Sequence, residues 1–178
     1  KSLGHSHVLP PELRTDEGSR EVLLRLLAKA AARLRSVGLV ATSLTVGVQG
    51  FERSWKSHCR MNPTNDTVAL TREVLRLWES RDFVKPKLVG ITFHDLSTPD
   101  LVTPSLFEEQ DERSGELSAA LDAVNQKFGK NTVYLAATVH AKDAADEKIA
   151  FDKTWLFSEG KGDNEWNSGM REDETPES

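Results

Sequence analysis

The chain changes between two hydrophobic rhythms. Residues 42–51 alternate: Leu44, Val46 and Val48 share one face, and Thr45, Gly47 and Gln49 share the other. Residues 54–61 alternate too, with Trp55, Ser57, Cys59 and Met61 opposite Lys56, His58 and Arg60. Two such runs around Gly50-Phe51-Glu52-Arg53 predict a hairpin or meander. Residues 4–9 predict a short strand that ends at Pro10-Pro11. Residues 87–94 predict another, with Val89, Ile91 and Phe93 against Leu88, Gly90, Thr92 and His94.

Helical spacing fills the gaps. Residues 11–18 read as a polar turn, and Ser19 as the cap of a helix to about Ser36, stopped by Gly38. Val22, Leu23, Leu26, Leu27, Ala30 and Leu34 form its apolar stripe. Pro63 ends the preceding strand. Thr64, Asn65 or Asp66 can cap a second helix to about Arg81, with Leu70, Val74, Leu77 and Trp78 facing inward. The order β-α-β-β-α-β predicts an α+β fold: a four-stranded, mainly antiparallel sheet with two helices on one face. The other face is left for solvent or a partner.

Beyond residue 98 the pattern weakens. A Pro- and acid-containing loop spans 97–113. A helix over about Ser114–Phe128 aligns Leu117, Leu121, Val124 and Phe128, with Gly129 as its stop. Short strands are predicted at 132–138 and 148–157. From Ser158 the composition buries no core and predicts a disordered acidic tail. Three regions follow: residues 1–98, an extension over 99–157, and a tail over 158–178.

Charge divides the chain at the same place. Residues 1–98 carry 15 Lys and Arg against 10 Asp and Glu; residues 99–178 carry 8 against 18. A polyanion suits the front and is repelled by the back. Cys59 is the only cysteine, which excludes an internal disulfide and fits a reducing, cytoplasmic setting. No apolar run reaches membrane-spanning length. The opening Lys1-Ser2-Leu3-Gly4 is neither an initiator Met nor a signal peptide, so an excerpt or truncated product is expected.

The strand parities gather Lys56, His58 and Arg60 on the open face with Thr45, Gln49, Thr92 and His94. Gly47 and Gly90 lie on it too, where a missing side chain lets another backbone approach. Such a face suits phosphate contacts that position a duplex without reading its sequence. The same alternation also describes a plain solvated sheet face. Arg25, Lys29 and Arg33, at helical spacing on the first helix, read as a solvated face behind the sheet.

Four segments in register resemble one family. Lys1-Ser2-Leu3-Gly4-His5 is similar to the linker-to-strand signature of Y-family (DinB/UmuC-like) translesion DNA polymerases. The element order, the Arg60-Met61-Asn62-Pro63-Thr64 corner and the Lys87-Leu88-Val89-Gly90-Ile91-Thr92-Phe93 strand resemble the little finger domain of those enzymes. The resemblance covers residues 1 to about 96. It implies that the sheet grips primer-template duplex DNA during lesion bypass, in a DNA-repair or SOS setting. It implies contacts from Ser2, Gly4, His5, Ser57, His58, Arg60 and Lys87; strand parity adds Lys56. Relatives often carry two adjacent basic residues where this chain has Lys87-Leu88, and Leu88 cannot grip a phosphate.

Residues 103–157 resemble the extension of the UmuC-like branch. Ser105-Leu106-Phe107 is similar to the end of a peptide that docks on the sliding clamp, but Thr103 and Pro104 replace its Gln and first Leu. An apolar Leu-Phe pair in a loop is more often a local packing anchor. The family's two-metal chemistry uses palm carboxylates upstream of the linker. The resemblance therefore implies no catalysis by this chain alone and no cofactor in it, with Mg²⁺ belonging to the absent palm. The catalytic core would be supplied upstream or by another chain. Asp95, Asp152 and the acidic clusters offer no substitute carboxylate pair, and His5 and His7 lack a companion cysteine for zinc. The rival reading is a protein-interaction module that recruits the clamp or a repair partner. A third is a regulator or remnant of a split polymerase.

Overall fold

The computed structural model describes residues 1–81, 85–101, 112–129, 132–134 and 136. Their elements run β1 (Leu3–Val8), α1 (Asp16–Ser36), β2 (Val40–Gly50), β3 (Ser54–Thr64), α2 (Thr67–Glu79), β4 (Pro86–Ser97) and α3 (Glu112–Phe128). The sheet is antiparallel throughout, in the order β1-β4-β2-β3. The expected β-α-β-β-α-β architecture is present, and a third helix joins it.

The core lies between the sheet and the first two helices. Leu44, Val46 and Val48 of β2 and Val89, Ile91 and Phe93 of β4 supply the sheet side. The stripe of α1 predicted from its spacing is buried without exception, as are Leu70, Val74, Leu77 and Trp78 of α2. Each fully buried Leu, Ile or Phe contributes roughly 1.5–3 kcal/mol. Arg81 stacks its guanidinium 3.6 Å from the centre of the Trp78 ring and pairs with Asp16, tying the end of α2 to the start of α1. Among the described residues no helix is long and apolar enough to cross a membrane.

Four local expectations are corrected. The helix predicted to begin at Ser19 begins at Asp16, because Thr15 caps it: its hydroxyl accepts the Gly18 N–H at 3.0 Å. Gly18 is not a turn residue. A Cβ there would lie 3.0 Å from the Leu13 backbone and from Thr15 Oγ1, so glycine lets the entering chain close on the first turn. Pro63 does not end β3, which continues to Thr64. As the sheet's outermost strand, β3 has a side with no ladder to maintain, where a missing N–H costs nothing. Arg25 is not on a solvated face; it is 4% exposed, and its neighbour Glu21 is buried with it.

Helix α3 docks through polar groups rather than its apolar line. Leu117 is 52% and Phe128 66% exposed, while Ser114 and Ser118 are buried. Asp66 caps α2 by accepting the N–H groups of Val68 at 3.2 Å and Ala69 at 2.9 Å. The same carboxylate accepts the hydroxyls of Ser114 at 2.5 Å and Ser118 at 2.8 Å. Beside it, Arg35 of α1 makes a two-pronged pair with Asp122 of α3, at 2.6 and 2.9 Å. Past the helix, Thr132–Tyr134 bend back so that the Asn125 side-chain amide exchanges two 2.9 Å hydrogen bonds with the Val133 backbone. The clamp-like Ser105-Leu106-Phe107, the segment 148–157 and the tail from Ser158 lie outside the described residues.

Candidate nucleic-acid interface

Strand register builds the open face as four parallel rows. One runs Arg60, Ser43, His94. The next runs His58, Thr45, Thr92, Gly4. The third runs Lys56, Gly47, Gly90, Ser6, and the last Ser54, Gln49, Leu88, Val8. The exposed side chains of Lys56, His58 and Arg60 thus stand in a column along the outermost strand. Residues two apart on a strand are spaced about 6.8 Å.

The third row is a trough. Its floor is Gly47 and Gly90, and Thr45, Gln49, Lys56, Leu88 and Thr92 line the depression above it. A Cβ added at Gly47 would meet nothing within 4 Å. The space above that strand is therefore open, as expected for a site where a second backbone approaches. Gly4, in the neighbouring row, is held to glycine by the sheet: a Cβ there would lie 2.8 Å from Thr92 Oγ1 and 3.1 Å from the Ile91 carbonyl.

Hydrogen bonds fix the upper rows. Thr45 Oγ1 lies 3.2 Å from His58 Nδ1 and 3.0 Å from His94 Nε2, with the two ring centres 6.0 Å apart. The Ser43 hydroxyl donates to Asp95 at 2.8 Å. Asp95 takes a left-handed backbone conformation, φ 52°, which turns its carboxylate toward Ser43 despite its odd position in the strand.

The eight residues proposed from sequence separate into two sets. Gly4, Lys56, His58 and Arg60 belong to the open face, and exposed Ser2 continues the same alternation just before β1. His5, Ser57 and Lys87 have the opposite parity and point toward the helix layer. His5 is half-buried, and burial, then the charges of Arg33 and Lys29, hold its imidazole below the usual range. Lys87 reaches the end of the sheet, where its ammonium lies 5.6 Å from the centre of the exposed Phe51 ring, with the Arg14 guanidinium 5.4 Å from it. Sequence reasoning missed Ser6 of the glycine row and the Arg14–Phe51–Lys87 cluster. The β1 alternation carried a signal for the first; nothing local carried one for the second. Among the described residues no three His, Cys, Asp or Glu side chains gather to hold a metal.

Residues 1–106 match the family described as the impB/mucB/samB family C-terminal domain. The chain belongs to that family. It carries the little finger domain of the Y-family polymerases, and its relatives extend the likeness past residue 106. "DNA polymerase IV 2" of Halalkalibacterium halodurans is 25% identical over 158 residues, covering 83% of this chain and 37% of that protein. "DNA polymerase IV" of Moorella thermoacetica is 28% identical over 145 residues, covering 78% of this chain and 36% of its own length. The same-named protein of Clostridium acetobutylicum is 23% identical over 140 residues. The little finger chain spans little more than a third of the curated relatives it matches.

Proposed function

We propose that the open sheet face holds the sugar-phosphate backbone of primer-template duplex DNA for a translesion polymerase. In this reading the catalytic palm and its Mg²⁺ lie outside the present sequence. The observation that carries it is the column of Lys56, His58 and Arg60 beside a trough floored by Gly47 and Gly90. Its spacing matches successive phosphates of one strand, and the glycine floor gives a backbone room to descend. Contacts of this kind position a duplex and carry no sequence preference.

Salt dependence tests the reading. Neutralising two to three phosphates weakens binding about 10- to 40-fold between 50 and 200 mM salt. Fluorescence anisotropy of a labelled primer-template at those two concentrations measures it. Binding that ignores salt, or no binding at either concentration, rejects the proposal.

The trough gives an independent expectation. Gly47→Val puts a branched side chain into it from a Cβ position that meets nothing within 4 Å, and valine suits a strand. The variant should melt no lower than the parent yet bind duplex several-fold more weakly. Equal affinity would show that no backbone enters the trough.

A second role is supported by α3, which turns Leu117 and Phe128 to solvent. In that role the extension contacts a protein, with the sliding clamp as the partner that Ser105-Leu106-Phe107 suggests. A pull-down with the clamp, comparing the parent with Leu106→Ala/Phe107→Ala, tests it.

A further inference from the structure

We infer that His58, Thr45 and His94 form a phosphate subsite that takes up one proton when the duplex binds. The inference rests on the DNA-binding reading above and specifies how one row of that face works. Its basis is the sharing of a single hydroxyl by two imidazoles, at 3.2 and 3.0 Å.

A hydroxyl has one proton to donate. If the Thr45 hydroxyl donates to His58 Nδ1, that nitrogen is bare and His58 carries its proton on Nε2. His94 must then donate from Nε2 to the Thr45 oxygen, which leaves its Nδ1 bare. The opposite arrangement simply exchanges the rings. With both contacts hydrogen-bonded, the neutral group therefore offers at most one N–H donor from the two nitrogens remote from Thr45. The other remote nitrogen carries a lone pair that repels a phosphate. One added proton on that nitrogen turns both into donors and leaves both bonds to Thr45 in place. A second proton would add no further remote donor: it would sit on the nitrogen facing Thr45, whose oxygen can accept from both rings.

The surroundings hold this group without replacing it. Lys56 and Arg60 stand on β3 to either side of His58, and Asp95 follows His94 on β4 with its carboxylate engaged by Ser43. On this face β2 offers Ser43, Thr45, Gly47 and Gln49, and β1 offers Gly4, Ser6 and Val8, none of them ionisable. Lys56 and Arg60 offer phosphate contacts of their own, so the proton step adds pH dependence to binding that exists without it.

The test is primer-template affinity from pH 6.0 to 8.5 at fixed ionic strength, with folding of each variant checked by circular dichroism. The bound state holds one more proton than the free protein and duplex, so affinity falls as pH rises, approaching tenfold per pH unit. Thr45→Val keeps both imidazoles but frees each to turn a donor outward, and should flatten the profile while binding persists at pH 8.5. Thr45→Ser restores the hydroxyl and should restore the slope. His58→Gln or His94→Gln alone should abolish the slope rather than halve it, since the surviving ring can take the donor form unaided. A parental slope in Thr45→Val, or a flat parental profile with binding intact, overturns this inference alone. Absence of binding at every pH overturns the DNA-binding reading and this one with it.

Discussion

Replacing Lys56 and Arg60 together by alanine should weaken binding to primer-template duplex about 30-fold at 100 mM salt and reduce the slope of log affinity against log salt by about two. The two cations flank His58 on one strand face and sit beside the trough. Each neutralised phosphate releases condensed counterions, so loss of a cation appears both in affinity and in salt slope. The loss should be uniform across sequences, because phosphates carry no base identity. Stability should hardly change, since both side chains are exposed and neither forms part of the core. Salt-dependent anisotropy on two unrelated duplex sequences checks both features. Weakening confined to one sequence would mean base contacts; unchanged binding would place the DNA elsewhere on the molecule. Arg25→Ala is a poor control. Its side chain is buried, so the change should damage the fold before it reports on DNA.

Period-two alternation made the sheet legible. Once Leu44, Val46 and Val48 are placed inward, Thr45, Gly47 and Gln49 must face outward, and the same logic orients β3 and β4. The glycine trough and the Lys56–His58–Arg60 column are therefore readable in the sequence itself. So are both core helices, because their stripes repeat at the helical period. The same parity puts His5, Ser57 and Lys87, named from the family resemblance, on the face of Leu3, Cys59 and Val89. Two kinds of feature were hidden. The start of α1 was masked by Gly18, whose role depends on the approach of Leu13 rather than on a turn. The sharing of one hydroxyl by His58 and His94 joins residues 36 apart, and only the register β3-β2-β4 makes them neighbours.

The seating of α3 was the least legible feature, and the reason is physical. Leu117, Leu121, Val124 and Phe128 line up as a core stripe would, yet Leu117 and Phe128 are exposed. Docking depends on single polar pairs between distant segments: Asp66 with Ser114 and Ser118, and Arg35 with Asp122. Such pairs leave no period in the sequence. Asp66 could be recognised as a candidate cap from its place before a helix. Its second task, accepting two serine hydroxyls from another helix, could not.

That double task makes Asp66→Ala the substitution with the largest expected effect on stability. The change removes the cap of α2, a loss of about 1 kcal/mol. It also removes the acceptor for two buried hydroxyls, at about 1 kcal/mol each once the partial exposure of Asp66 is considered. The expected total is about 3 kcal/mol, a fall in Tm of about 10 °C. Asp66→Asn keeps a capping oxygen and should lose less than half as much. Acid should reproduce the effect. Burial pulls the Asp66 carboxyl upward, but hydrogen bonds from Ser114, Ala69, Ser118 and Val68 outweigh it and hold the group below the ordinary aspartate value. The folded state thus binds this proton less readily than the unfolded chain. Its contribution is complete above about pH 4 and is lost as pH falls further. Asp66→Ala should therefore show a shallower loss of stability below pH 4 than the parent. Arg35→Met should act on the same helix, because it leaves Asp122 without its two-pronged partner. Where Asp66→Ala has already released α3, adding Arg35→Met costs less than it does alone. Thermal melts of the two single variants and the double variant, with amide exchange followed across residues 112–128, measure that coupling. Strict additivity, or unchanged exchange in α3, would separate the two contacts and refute a shared latch.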